Sequence, residues 1–247
     1  IMNGMVLHGA IKPYGATFLV FTDYARNAVR LSALMKLPNI FVYTHDSVAL
    51  GEDGPTHQPI EHMVTLRSTP NLNNWRPADL VETAVSWKSA VSSQKTPTCL
   101  IYSRQGTSAI KRSPDQISMI DMGGYLLEES DDFDLTIVAS GSEVQLALDA
   151  AKGLKNDSIN ANVVSMPCLD IFLDQDKEYQ NKIINPEKPV LVVECAHPNS
   201  WYRILNRNDK VIGIETFGES APGSELLNHF GFNTNNVIKT AKSLIND

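Results

Sequence analysis

The chain predicts two α/β domains, each a mostly parallel sheet flanked by helices, and three observations carry that prediction. Strand-sized runs rich in β-branched and aromatic residues alternate with longer amphipathic stretches in both halves of the sequence. The alternation breaks once, over the polar stretch 105–121, which contains Gly106, Lys111-Arg112 and Ser113-Pro114 and reads as a linker around a short helix. A length of 247 residues leaves room for two ordinary domains, or one large one, with a real core. The expected division is therefore 1–110, a linker over 111–122, and 123–247.

The chain opens on Ile1 to Gly9, where apolar residues at positions 1, 2, 5 and 6 and a terminating glycine read as the middle of a helix with no cap before it. That is the pattern expected of a chain cut from a longer one. Ala16 to Phe21 is a short strand and Thr22-Asp23 a helix start. Tyr24 to Lys36, apolar at 25, 28, 29, 31, 34 and 35, is an amphipathic helix. Asn39 to Tyr43 has the character of a buried strand. Ile60 to Leu66 is helical, 70–77 is irregular, and Asp79 to Val91 is a second amphipathic helix capped by Asp79 itself. Thr98 to Tyr102 is a buried strand.

Beyond the linker, strands fall at Leu135 to Ala139, Ala161 to Ser165, Val190 to Cys195 and Val211 to Ile214. Helices fall at Ser142 to Leu154, with Ser142 as N-cap, at Ser224 to Phe230 and at Asn235 to Ile245. Ser140-Gly141-Ser142 reads either as an anion cradle or as a plain capped helix start. His197 and His229 read as surface or packing residues, and no catalytic cluster stands out in this half.

Composition excludes several classes. A net charge of −7 without a basic cluster argues against nucleic acid as a partner. Cys99, Cys168 and Cys195 lie far apart, with no CxxC and no even count, which predicts reduced structural thiols and a cytoplasmic setting. The N-terminus has no signal-peptide pattern, and the longest apolar runs, around Pro189 to Ala196, are strand-sized, so no membrane partner is expected.

Chemistry concentrates in Thr44 to Gln58, THDSVALGEDGPTHQ, which begins where the strand 39–43 should stop. In an open α/β sheet that end is where ligands bind. His45 and His57 are proton carriers, Asp46, Glu52 and Asp53 are acceptors, and Gly51 and Gly54 let the backbone approach a ligand closely. The plainer alternative is two ordinary turns with solvated histidines. The two histidines, twelve positions apart across a loop, match no helical metal-ligand pair. Phe18, Phe21 and Tyr24 are spaced by threes across a strand-to-helix junction and read by default as core. Arg104 follows a strand at the same expected sheet edge, either solvated or aimed at a phosphate.

The string THDSVALGEDGPTHQPIEH closely resembles the substrate loop of transketolase. So do Pro13 to Phe21, Tyr24 to Arg30, Trp75 to Asp79, Ser103-Arg104-Gln105, Gly123-Gly124-Tyr125, Gly141 to Val144 and Thr216 to Pro222, which together span essentially the whole chain. The resemblance implies a thiamine diphosphate-binding fold, truncated at its start, followed by a transketolase C-terminal domain. It implies transfer of a two-carbon ketol unit from a ketose phosphate to an aldose phosphate, in the pentose phosphate pathway, by a homodimer whose active site lies at the subunit interface. Phe18, Phe21 and Tyr24 would pack against the aminopyrimidine of thiamine diphosphate. His57 would contact donor oxygens and assist proton transfer, Asp53 would read a substrate hydroxyl, and His45 and Arg104 would bind the substrate phosphate. The diphosphate and its Mg or Ca ion would be held by a domain upstream of Ile1, as would the cofactor-activating glutamate. The family's Gly-Asp-Gly…Asn metal string is not matched by Glu52-Asp53-Gly54, so no metal ligand is expected here and the chain alone is expected to be inactive. The sequence departs from the family after Arg104-Gln105, where Gly106-Thr107-Ser108 replaces the usual Asn-Leu-Pro. The alternatives are a related enzyme, such as dihydroxyacetone synthase or deoxyxylulose phosphate synthase, or a non-catalytic interaction subunit.

Overall fold

Each half of the chain builds its own sheet. In the computed structural model, which describes residues 1–246, the first half runs α1 (Met2–His8), β1 (Tyr14–Phe18), α2 (Thr22–Leu34), β2 (Ile40–Thr44), α3 (His62–Arg67), β3 (Asn73–Trp75), α4 (Leu80–Ser92) and β4 (Thr98–Ile101). Its strands are all parallel, in the order β1-β2-β4-β3. The second half comprises α5 (Pro114–Met119), β5 (Tyr125–Glu128), β6 (Leu135–Ala139), α6 (Glu143–Lys155), β7 (Ala161–Ser165), α7 (Leu169–Leu173), α8 (Lys177–Ile183), β8 (Val190–Val193), β9 (Lys210–Ile212), α9 (Gly223–His229) and α10 (Thr234–Asn246). Its order is β5-β7-β6-β8-β9, with β5 antiparallel at one edge and the other strands parallel. Two mostly parallel α/β sheets flanked by helices are thus the observed architecture.

The central strands bury both faces, which is why β6 and β8 read as continuous apolar runs. β1 departs from this pattern: Tyr14 is exposed at the open edge of the first sheet. α1 buries none of its residues.

Four details differ from the sequence expectation. The strand expected to run to Phe21 stops at Phe18, and Leu19–Phe21 turns as a 3-10 helix that feeds α2. β3 lies inside the stretch expected to be irregular; Asn73-Asn74-Trp75 has little strand propensity, and its pairing with Thr98, Cys99 and Leu100 of β4 supplies what propensity does not. β5, α7 and α8 are too short to show a period. Ser142 precedes α6 but does not cap it with its side chain: its backbone is already helical, and its hydroxyl donates to Glu143 Oε1 at 2.6 Å.

The C-terminal edges of the two sheets face each other across a buried ionic network. Arg76, just after β3, donates from Nε to Asp46 Oδ2 (2.9 Å) and from Nη1 to Ser140 O (2.8 Å) and Glu143 Oε2 (2.5 Å). Arg67 meets Glu194 twice, at 2.7 and 2.8 Å, and Glu194 also accepts from Ser140 Oγ (2.6 Å) and Trp201 Nε1 (2.7 Å). All these charged groups are buried. The Ser140-Gly141-Ser142 turn therefore receives a guanidinium from the first domain in place of an anion. A second buried knot joins α4 to the linker and β5: Arg112 reaches Asp79 Oδ2 (2.6 Å), Glu82 Oε1 (3.2 Å) and the Tyr125 hydroxyl (2.6 Å). The three cysteines are free and buried, and burial raises each thiol above its ordinary pKa. Among the described residues no helix is long and apolar enough to cross a membrane.

Candidate active site

The parallel register of the first sheet assembles the candidate residues. Phe18 at the end of β1 pairs with Thr44 at the end of β2, and Tyr43 pairs with Ile101 at the end of β4. The segments leaving these three strands, which carry Phe18 to Tyr24, His45 and Arg104, therefore emerge side by side. All three segments leave the carboxyl ends of parallel strands, the edge at which open α/β sheets bind ligands.

His45 sits at the centre. Its backbone is left-handed (φ 61°), its Nδ1 lies 2.9 Å from Thr44 Oγ1, and its ring stacks on Phe18 with centroids 3.7 Å apart and 20° between planes. Phe18 stacks in turn near Phe21 (5.9 Å), and Phe21 meets the His57 ring edge-on at 5.5 Å and 80°. Tyr24 follows Phe21 at 6.0 Å and points out, 90% exposed. The rings form one continuous wall, half-exposed at Phe18 and Phe21. The default reading of these aromatics as core is overturned here, because ordinary core rings would be covered.

Burial pushes the His45 imidazole below its ordinary pKa, and the positive charge of Arg104 adds to that push. Asp53 and Asp46 oppose it. Arg104 and Asp53, both exposed, thus act electrostatically with opposite signs at His45 from the segments that follow β4 and β2.

The loop itself is a chain of tight turns. Ser47 caps a 3-10 turn over Val48–Leu50, Gly54 N donates to Gly51 O (3.1 Å), and His57 N donates to Gly54 O (3.0 Å). Gly51 (φ 98°) and Gly54 (φ 77°) take up the left-handed conformations that these reversals need. His57 is half-buried, with Nδ1 2.9 Å from Thr56 Oγ1. Asp46 turns the other way, inward, to Arg76.

All seven candidates, Phe18, Phe21, Tyr24, His45, Asp53, His57 and Arg104, come from the same sheet edge and its loop. Sequence reasoning read Asp46 only as an acceptor of the loop and passed over Arg76, Glu143 and Glu194, which with it hold this edge from below. The lone charge of Trp75-Arg76-Pro77, set between two apolar residues in a stretch with no periodicity, was the available signal, since a charge that becomes buried needs a partner. Among the described residues, Asp23, Glu61 and His62 also lie close together, with Nε2 of buried His62 3.4 Å from Asp23 Oδ2. A histidine–carboxylate pair accounts for that contact.

The family description "Transketolase, pyrimidine binding domain" matches residues 1–108, and "Transketolase-like TK C-terminal domain" matches residues 123–233. Transketolase 1 of Vibrio parahaemolyticus is 49% identical over 247 residues, which are 99% of this chain and 37% of that protein. A transketolase of Pichia stipitis, solved in complex with sedoheptulose-7-phosphate, matches with a TM-score of 0.94 at 42% identity, over 99% of this chain and 36% of that one. A split-gene transketolase, described as an inactive beta4 tetramer, matches with a TM-score of 0.80 at 26% identity, over 99% of this chain and 80% of that one. The chain thus spans 37% of the length of the curated relatives it matches. From the matched domains, which cover both sheets, and from relatives aligned along nearly its full length, the chain belongs to the transketolase family.

Proposed function

We propose that these residues supply the pyrimidine-binding domain (1–110), a linker (111–122) and the C-terminal domain (123–247) of a transketolase that moves a two-carbon ketol unit from a ketose phosphate to an aldose phosphate. The observation that carries this reading is the wall of rings from Tyr24 to His57 with Arg104 and Asp53 acting at His45. An apolar wall left open on one side fits a flat heteroaromatic, and stacking adds about 0.5–1.5 kcal/mol beyond burial. Phe18, Phe21 and Tyr24 would therefore hold the pyrimidine of thiamine diphosphate. When bound, the cofactor supplies the carbon nucleophile that carries the ketol unit.

The chain's own residues do the rest. The Thr56 hydroxyl engages His57 Nδ1, so Nε2 is the atom that takes and returns a proton on the donor oxygens. Asp53, on its exposed turn, accepts a hydrogen bond from a substrate hydroxyl. His45 and Arg104 grip the phosphate at the far end of the sugar, which favours a phosphosugar over a small aldehyde as acceptor. The diphosphate and its Mg or Ca ion belong to a further domain, in the same polypeptide or in a separate subunit. A second reading, a subunit inactive by itself, has its support in the split-gene relative of similar span. The exposed apolar residues of α2, Tyr24, Leu31 and Leu34, give a homodimer a surface to cover. A cytoplasmic setting and the pentose phosphate pathway complete the reading.

Calorimetric titration of the 247-residue chain with thiamine diphosphate and Mg²⁺ tests it. No metal-dependent binding and no ketol transfer are expected from the chain alone, and both should appear when a transketolase diphosphate-binding domain is supplied. Tight metal-dependent binding by the chain alone would overturn the division of labour.

A further inference from the structure

The second domain touches the candidate site at a place separate from the ionic network. After β9 the chain returns over the loop that carries Asp53 and His57. Ser220 Oγ donates to Glu52 O at 2.6 Å. Gln58, 2% exposed, sends Nε2 to Gly51 O (2.8 Å) within its own loop and to Glu219 O (2.9 Å) across the junction. The approach is so close that a Cβ on Gly218 would stand 1.7 Å from Gln58 Oε1, and one on Gly223 would stand 2.4 Å from Ala49 O.

These contacts fall on both sides of the turn that presents the two candidate residues. Asp53 is exposed, His57 is half-buried with its ring against Phe21 alone among the aromatics, and the turns at Gly51 and Gly54 are conformationally permissive, so side-chain packing by itself does not fix the turn that carries them. The carbonyls of Gly51 and Glu52 are instead held by Gln58 and by Ser220. A reacting group misplaced by about 1 Å costs roughly 10²-fold in rate, so a loop of this kind needs an external hold.

We infer that the second-domain segment Thr216–Gly223 is a positioning element for Asp53 and His57, with Gln58 as the latch between the two domains. The inference rests on the roles proposed above for those two residues, and its test has one arm that does not. In the full 247-residue chain, hydrogen exchange over residues 51–58 should quicken in Gly218→Ala, in Gln58→Ala and, more mildly, in Ser220→Ala, while β6 stays protected. The double variant Gly218→Ala/Gln58→Ala should exchange no faster than Gln58→Ala, because removing the amide also removes the clash. In the active assembly, Ser220→Ala and Gly218→Ala should lower discrimination between hydroxyl epimers of the acceptor by roughly 10- to 100-fold. The KM for the phosphorylated acceptor, set at His45 and Arg104, should move by less than about 2-fold. Unchanged exchange in all variants, additive effects in the double variant, or equal loss on both epimers would overturn the inference. If the unaltered assembly transfers no ketol unit, the proposed function fails, and the exchange arm still decides whether the latch exists.

Discussion

His45 holds a left-handed backbone, a conformation that costs a non-glycine residue about 1–3 kcal/mol and persists only where its surroundings impose it. Phe18 holds the ring from one face, while Asp46, the next residue, is locked by Arg76. With burial first and Arg104 second pushing the imidazole below its ordinary pKa, His45 is neutral near pH 7. A phosphate dianion reverses this balance by favouring the imidazolium, so binding takes up a proton. The KM for a phosphorylated acceptor should therefore fall as pH drops from about 8 to 6, and His45→Asn should leave only the opposite slope of the phosphate's own ionisation near pH 6. A hydroxyaldehyde acceptor should show neither slope. In the same assembly, Arg104→Ala removes a charge-assisted hydrogen bond of about 1.5–3 kcal/mol and should raise that KM by roughly 10- to 150-fold. Equal losses with the hydroxyaldehyde would make Arg104 a structural residue. The composition of the loop, dense in His, Asp and Gly after a strand, drew attention to His45 and Asp53, whereas Arg104 was singled out only by its place after a strand at the same edge. The Phe18, Phe21 and Tyr24 wall was not legible from spacing, because aromatics at a strand-to-helix junction look the same whether or not anything covers them; the family resemblance supplied that assignment.

Asp79 shows how one side chain ties an element to the rest of the fold. Its Oδ1 accepts from Val81 N and Glu82 N at 3.1 Å each, closing the first turn of α4, and its Oδ2 accepts from Ile110 N (3.0 Å) and Arg112 Nη1 (2.6 Å). The capping half was readable, since Asp before an amphipathic run is a helix start. The linker half was not, because a contact over 33 residues leaves no local trace. Loss of a cap alone costs about 1 kcal/mol, whereas stripping the partner from a buried arginine costs about 3–5 kcal/mol. Asp79→Asn, which keeps the capping oxygen, and Asp79→Ala, which removes both functions, should both lower the urea midpoint by far more than a cap is worth. Asp79→Ala should be the worse by about 1 kcal/mol. A loss near 1 kcal/mol for both variants would mean that Arg112 finds enough compensation in Glu82 and Tyr125. The same logic explains the elements that were missed. β3 and β5 exist because of a neighbour's register, whereas α2, α4 and α6, thirteen residues each, carry enough period to declare themselves.

At the scale of the whole molecule, three buried acids and two arginines join the domains: Asp46, Glu143 and Glu194 against Arg67 and Arg76. One negative charge is in excess, and the two glutamates divide its consequences. Burial alone would raise Glu194, but Arg67 and Arg76 overcome it and hold the carboxyl at about 2. Burial raises Glu143 above its ordinary value despite Arg76, and repulsion from Asp46 adds to the rise. The signs are opposite. Glu194 contributes stability that is complete above its unfolded value of 4.5 and is lost as pH falls through about 2, a span worth about 3 kcal/mol. Glu143 is destabilising when forced to ionise, so stability is gained as pH falls from its raised value towards 4.5. The junction should therefore be firmest in mildly acidic solution and weaker on either side of it, at neutral pH and towards pH 2. Urea unfolding at a series of pH values should show that maximum, and Glu143→Gln should remove the rise on its neutral side while leaving the acid limb set by Glu194. An unfolding free energy that falls steadily from neutral pH downwards, in both the parent and Glu143→Gln, would mean that Glu143 shares its charge with Arg76 as an ordinary ion pair and that the excess charge resides elsewhere in the network.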